Sequence, residues 1–180
     1  MRGRIALSAI LVLGVAVAAA PSWAARPAAT PAAPACTIVG TDGDDTLRGT
    51  PGDDVICALA GDDYVNGRAG NDTIVLGKGL DGFDAGRGND VVRGGAGQDT
   101  GFGGPGDDRI YLQGGSDLIV SDDRGRDALY GGPGDDSCLS AFDGHGGDVV
   151  DGGQGYDIYG ADAGDTVSAA EEGPYHCEGG

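Results

Sequence analysis

A nine-residue period runs without a slip from Gly40 to Val120, and it confines the chain to a stacked repeat architecture. With each repeat numbered 1 to 9, the sixth position is Asp45, Asp54, Asp63, Asp72, Asp81, Asp90, Asp99, Asp108 and Asp117. The fourth position is Gly every time, from Gly43 to Gly115. The eighth is apolar except at Gly101: Leu47, Ile56, Val65, Ile74, Phe83, Val92, Ile110 and Ile119. Abundant Gly and Asp alone would scatter these residues. Three residue classes locked in one phase require a unit that is copied and stacked.

Each unit reads as a turn followed by a short strand. Gly at position 4 permits positive φ and close backbone approach, while positions 7 to 9 carry β-branched and apolar residues, as in Val55-Ile56-Cys57 and Thr73-Ile74-Val75. The expectation is three-residue strands that bury one side chain each, at position 8. Two faults interrupt the phase: Ser121 to Arg124 adds one residue, and Ser140-Ala141-Phe142 adds three. Gly-x-Asp survives both, as Gly125/Asp127, Gly134/Asp136, Gly146/Asp148 and Gly155/Asp157. One continuous array of about thirteen repeat turns is therefore expected. It decays through Gly164-Asp165-Thr166-Val167-Ser168 into an acidic tail.

The nonapeptide resembles the glycine- and aspartate-rich calcium repeat of hemolysin-type toxins, the RTX family. The copies nearest to that pattern are Gly103-Gly104-Pro105-Gly106-Asp107-Asp108-Arg109-Ile110-Tyr111 and Gly131-Gly132-Pro133-Gly134-Asp135-Asp136, and the likeness covers roughly residues 40 to 168. It implies an all-β fold, a right-handed parallel β-roll (solenoid) in which two nonapeptides make one coil and repeats i and i+2 stack. It also implies Ca²⁺ as the cofactor, held by the position-6 aspartates Asp45 to Asp117 and by Asp136, with turn carbonyls completing the shell. The same role is carried over to Asp127, Asp148 and Asp157 beside the faults. The position-5 acids, such as Asp44 and Asp107, read either as contributors or as solvated turn residues.

Electrostatics favours that reading. Stacked strands lie about 4.8 Å apart, so the position-6 carboxylates would form two ladders, one through Asp45, Asp63, Asp81, Asp99 and Asp117 and one through Asp54, Asp72, Asp90 and Asp108. Neighbouring unit charges at that spacing repel by roughly 3 to 4 kcal/mol at an effective dielectric of about 20, and by about 1 kcal/mol in water. A divalent cation between rungs reverses the sign. Ca²⁺ accepts six to eight oxygens in flexible geometry, whereas Mg²⁺ dehydrates reluctantly and demands an octahedron. Zinc lacks its usual His or Cys cluster here.

Residues 1–24 read as a signal peptide: Arg2 and Arg4, then an apolar stretch from Ile5 to Ala20, then Ser22-Trp23-Ala24 before the cleavage point. Secretion to the extracellular space is expected, with no membrane span in the mature chain. Residues 25–35, rich in Pro and Ala, form a linker, 36–168 the roll, and 169–180 a C-terminal cap. Beyond residue 24 there remain nine basic and 29 acidic residues, a net charge of about −20. That excludes nucleic acid as a partner and points to cations, which the resemblance identifies as calcium ions. Leu, Ile, Val and Phe make up about 17% of this part, below the roughly 20% under which a highly charged chain is disordered. Composition and periodicity conflict unless something outside the sequence neutralises the carboxylates.

Four cysteines, Cys36, Cys57, Cys138 and Cys177, allow three disulfide pairings. Cys36 with Cys57 and Cys138 with Cys177 are the local choices, each stapling one end, with a contribution on the order of 3 kcal/mol for a loop of that size. The chain carries no Gly-x-Ser-x-Gly and no His-Glu-x-x-His motif, so no catalytic residue is assigned and no enzyme activity is expected. Two functions remain open: a secreted calcium-binding structural or interaction module, and an adhesion or carbohydrate-binding module or accessory part of a secreted enzyme system. In the second, Tyr111, Tyr130, Tyr156 and Tyr159 would face an extracellular surface polymer or protein.

Overall fold

In the computed structural model, residues 35–121, 124–141 and 143–169 are described, and they form strands and turns without a helix. One sheet holds β1 (Ile38–Val39), β3 (Val55–Ala60), β5 (Thr73–Lys78), β7 (Val91–Ala96), β9 (Arg109–Gly114), β11 (Ala128–Pro133), β13 (Val149–Gln154) and β15 (Thr166–Ser168). The other holds β2 (Thr46–Arg48), β4 (Tyr64–Asn66), β6 (Gly82–Asp84), β8 (Thr100–Phe102), β10 (Leu118–Val120), β12 (Leu139–Ala141) and β14 (Tyr159–Ala161). Odd strands neighbour odd strands and even neighbour even, all parallel. The chain therefore alternates between two sheets, two repeats to a coil: a parallel β-roll.

Register follows from the repeat. Val55 pairs with Thr73 and Thr73 with Val91, so successive rungs are eighteen residues apart. Position 8 points inward: Ile56, Val65, Ile74, Phe83, Val92, Ile110 and Ile119 are all buried. The one exception explains itself. A Cβ built on Gly101 would lie 2.6 Å from Cγ of Phe83, so the ring of one rung fills the space the next leaves empty.

The strands are unequal, which the repeat did not foretell. On the first sheet most run for six residues rather than three, because positions 1 to 3 of the following turn keep pairing with the next coil, as Leu59 with Gly77 and Ala60 with Lys78. Those strands bury a second side chain, at position 1: Ala58, Leu76 and Leu112 join the core. The faults also differ in detail. Asp117 and Asp136 are nineteen apart along the stack, yet Ile119 pairs with Leu139. One of the three residues assigned to Ser140-Ala141-Phe142 is therefore taken up earlier, as a bulge at Ser137 and Cys138, where Cys138 has φ 54°. Leu139 takes the core position that Cys138 would have held, and Ser140 and Ala141 pair regularly in β12.

At the N-terminal end β1 pairs with β3 and the Cys36–Cys57 disulfide joins them, with Cα atoms 5.9 Å apart. Cys138 is disulfide-bonded too; its expected partner, Cys177, lies outside the described residues, as do the signal peptide, nearly all of the linker and the tail from 170. No helix among the described residues is long and apolar enough to cross a membrane.

Stacked turns bring backbones into contact. At Gly79, φ is 145° and a Cβ would fall on the carbonyl oxygen of Gly61 one coil away. Gly52, also at position 4, has no atom nearer than 3.9 Å to a Cβ and no left-handed φ. Gly79→Ala should cost at least about 2 kcal/mol, since the left-handed backbone alone costs about 1 to 2, while Gly52→Ala should stay within about 0.5 kcal/mol. Thermal melts at saturating calcium check this, and equal losses would contradict the stacking described.

Candidate metal sites

Each turn delivers its position-6 aspartate to the inside of the roll's edge. Asp54, Asp63, Asp72, Asp81, Asp90, Asp99, Asp108, Asp117, Asp127, Asp136, Asp148 and Asp157 are all buried, and Asp45, in the first turn, is half-buried. They stand in two ladders knit by one recurring bond. The Asp45 N–H donates to Oδ1 of Asp63 at 2.8 Å, Asp63 to Asp81 at 2.9 Å, Asp81 to Asp99 at 3.2 Å and Asp99 to Asp117 at 2.8 Å. The series crosses the faults unbroken, through Asp136 and Asp157. The second edge repeats it through Asp54, Asp72, Asp90, Asp108, Asp127 and Asp148. All thirteen expected residues thus fall in the two ladders.

A fourteenth was missed. The Asp148 N–H donates to Oδ1 of Asp165 at 3.1 Å, which makes Asp165 the last rung of the second edge. Its turn reads Ala163-Gly164-Asp165, without Gly two residues earlier, and only the strand pattern after it, Thr166-Val167-Ser168, could have revealed it. The position-5 side chains do not enter the sites. They form an outer, exposed ladder that runs the opposite way, in which Oδ1 of Asp44 accepts from the Asp62 N–H and Oδ1 of Asp53 from the Asn71 N–H.

The inner ladder leaves a deficit. The second oxygens, Oδ2, of Asp63, Asp72, Asp81, Asp90, Asp99, Asp117, Asp136 and Asp157 are buried without a hydrogen-bond partner. A buried carboxylate oxygen with no donor and no counterion carries a desolvation penalty of several kcal/mol. Burial pushes Asp90 and Asp136 up from the ordinary 3.8 to about 6 and Asp99 to about 7. Asp148 rises to about 6 for the same reason, with Asp165, Asp127 and Asp143 adding repulsion, and Asp63, Asp72, Asp81, Asp117 and Asp127 are raised as well. The ion pairs near the turns, Arg126–Asp107 and His145–Asp143, involve none of the inner acids.

These residues suit a hard divalent cation. Among the described residues no three acidic, His or Cys side chains converge on one point, so a cation here would draw on one or two carboxylates and complete its shell from neutral turn carbonyls. That donor set, all oxygen and mostly neutral, is the one Ca²⁺ accepts. Among the described residues the cysteines are in disulfides, and His145 is exposed in a turn.

The sequence profile of the RTX calcium-binding nonapeptide repeat matches the chain in overlapping copies at residues 39–74, 49–83, 58–92, 66–101, 79–110, 93–123 and 119–143, more than half of its length. Among solved structures, the solution structure of the AlgE6R3 subunit from the Azotobacter vinelandii mannuronan C5-epimerase is similar at 27% identity and a TM-score of 0.33. That match covers 58% of this chain and 59% of the other. No match is found among curated proteins.

Without metal, the raised acids bind more protons in the folded than in the unfolded chain between about pH 4 and 7. The metal-free roll is therefore favoured below the ordinary Asp value and loses that advantage as pH rises through about 6 to 7. In chelator, far-UV circular dichroism should show more β-structure near pH 5 than near pH 8, and the apparent calcium affinity should weaken over the same descent. A chelated chain that gains structure toward alkaline pH would contradict the burial of these carboxylates.

Proposed function

Because this chain belongs to the RTX calcium-binding nonapeptide repeat family, whose repeats bind Ca²⁺, we propose that it is a secreted module that folds on meeting extracellular calcium and then serves as a structural or interaction element without catalysis. The observation that carries this reading is the ladder of buried, unpartnered aspartate oxygens. A chain so charged stays open where calcium is scarce and closes where it reaches the 10⁻⁴ to 10⁻³ M range in which extracellular modules typically bind. The apolar segment before Ala25 supports export. Of the aspartates named from the sequence, those whose Oδ2 is buried without a partner, Asp63, Asp72, Asp81, Asp90, Asp99, Asp117, Asp136 and Asp157, are the proposed ligands, each site drawing on two stacked turns.

A second reading, as a module that binds an acidic surface polymer, finds support away from the tyrosines. The Tyr111 and Tyr130 rings stack on each other at 4.8 Å, with the Arg93 guanidinium 6.0 Å from the Tyr111 ring, so one face of each ring is taken within the protein. Tyr159 packs against the core, and Tyr156 is exposed in a turn on the first edge. On the second edge, by contrast, exposed Arg68, Arg87, Arg109, Arg124 and Arg126 gather beside Asn71 and Asn89, where other copies of the repeat carry Asp. A shallow groove of about 290 Å³ lies there, lined in part by Arg109 and Arg126. Between Arg68 and Arg126 these arginines outnumber the outer acids of the edge, of which Asp107 lies 4.0 Å from Arg126, while Asp53 and Asp143 flank the stretch.

Expression with the complete leader, followed by analysis of the culture medium, tests both readings. The first expects a mature N-terminus near Ala25 and resistance to protease that chelator abolishes. The second expects, in addition, calcium-dependent retention on an immobilised polyuronate. Retention of the leader, or resistance indifferent to chelation, would refute the proposed export and switching.

A further inference from the structure

The turns come in two conformations, and the difference falls on the atom that would meet the metal. At Thr41 and Thr50, the position-2 residues of the first two repeats, the backbone N–H donates to Oδ2 of the same turn's aspartate at 2.6 Å and the hydroxyl donates to it at 2.9 Å. Oδ2 of Asp45 and of Asp54 is thereby satisfied inside its own turn. Position 2 of the following turns carries positive φ instead: Leu59 at 86°, Arg68 at 82°, Gly77 at 123°, Gly95 at 131° and Gln113 at 75°. The aspartates of those five turns, Asp63, Asp72, Asp81, Asp99 and Asp117, each keep a buried Oδ2 without a partner. Neither threonine has left-handed φ. Thr at position 2 thus goes with a closed turn, and a left-handed position 2 goes with an open one.

The closed turns also occupy a distinct place in the stack. Asp45 and Asp54 are the first rungs of the two ladders, so no earlier aspartate amide on either edge reaches them. Every open aspartate accepts, on Oδ1, the amide of the rung before it, and its Oδ2 lies at a junction of two coils. Two later turns on the second edge are closed by other means, that of Asp165 by the Asp162 N–H, which donates to its Oδ2 at 2.6 Å. The buried Ser121 hydroxyl donates to Oδ2 of Asp127, at the first fault and on the second edge.

Taking calcium binding by the repeats as its basis, we propose that Asp45, Asp54 and Asp127 are hydroxyl-capped rungs that hold no calcium through Oδ2, and that the sites begin at Asp63 on one edge and Asp72 on the other. A carboxylate oxygen already accepting two donors gains little from a cation and would have to give those bonds up. The open oxygens have nothing to lose. The first coil, with its threonine caps and the Cys36–Cys57 disulfide, is then a metal-independent end on which the calcium-filled coils build. On the first edge the open oxygens continue to Asp157, whereas on the second the series is broken at Ser121. The two edges therefore carry unequal numbers of ions.

Native mass spectrometry of the mature chain, with its disulfides intact and calcium saturating, counts the ions directly. Asp54→Asn should leave the wild-type count unchanged, while Asp72→Asn, one coil further on the same edge, should remove at least one ion. An Asp54→Asn count reduced as far as that of Asp72→Asn would overturn the assignment. A wild-type chain that takes up no calcium would overturn it together with the calcium reading, and so the two failures are told apart. Should Asp72→Asn not fold, Thr50→Val decides. Its loss in melting temperature should be the same at limiting and at saturating calcium, because the hydroxyl supports a turn without metal. A loss that saturating calcium erases would show a cation on Asp54 and refute the closed turn.

Discussion

Everything in this molecule depends on a column of carboxylates that water cannot reach. A buried aspartate ordinarily needs donors or a counterion on both oxygens. Here Oδ1 has the amide of the neighbouring rung and Oδ2, in eight turns named above, has nothing from the protein. The deficit is systematic. It recurs in those eight turns, with the same atom in the same place, and among the described residues no arginine or lysine comes to fill it. A site left open so regularly is built for a ligand from outside, and the oxygen-rich turns around it select a hard cation.

The rest of the roll serves to keep that column in register. Glycines at positions 2 and 4 let the turns stack so closely that a Cβ would strike the carbonyl of the coil beneath, as at Gly79 and Gly95. Short strands hold the coils at the spacing of a sheet, and the inward side chains make a core only one or two residues thick, from Ile56 to Val150. A core so thin offers limited hydrophobic stabilisation. The disulfide at the first coil removes chain entropy where the stack has no neighbour to lean on. The threonine caps do the corresponding electrostatic work in the same coil.

Much of this was legible because the repeat is strict. The spacing of Asp45 to Asp117 set the phase, the resemblance to the RTX repeat implied two ladders, an inward position 8 and parallel stacking, and the structure places Asp127, Asp136, Asp148 and Asp157 in the same columns. What was not legible lies where one residue plays a part that the pattern does not mark. Leu76 and Leu112 stand at a position that is Gly in half the repeats, so their burial and the longer strands of one sheet had no periodic signal. Asp165 lacks the usual Gly two residues before it. The bulge at Ser137 and Cys138 moves Leu139 into the core, a choice made by packing rather than by spacing. The repeat pattern does not mark Thr41 and Thr50, and only their bonds to Asp45 and Asp54 show that they close the carboxylate.

The claim that an external cation completes the fold is tested most directly by far-UV circular dichroism of the mature, disulfide-intact chain, stripped of metal and titrated with Ca²⁺ at neutral pH. Each site needs two stacked turns and each inner turn serves two sites, so β-structure should appear cooperatively near 10⁻⁴ to 10⁻³ M, and Mg²⁺ at the same concentration should do much less. A stripped chain that already shows the full β-signal, and melts at the same temperature with and without calcium, would contradict the account.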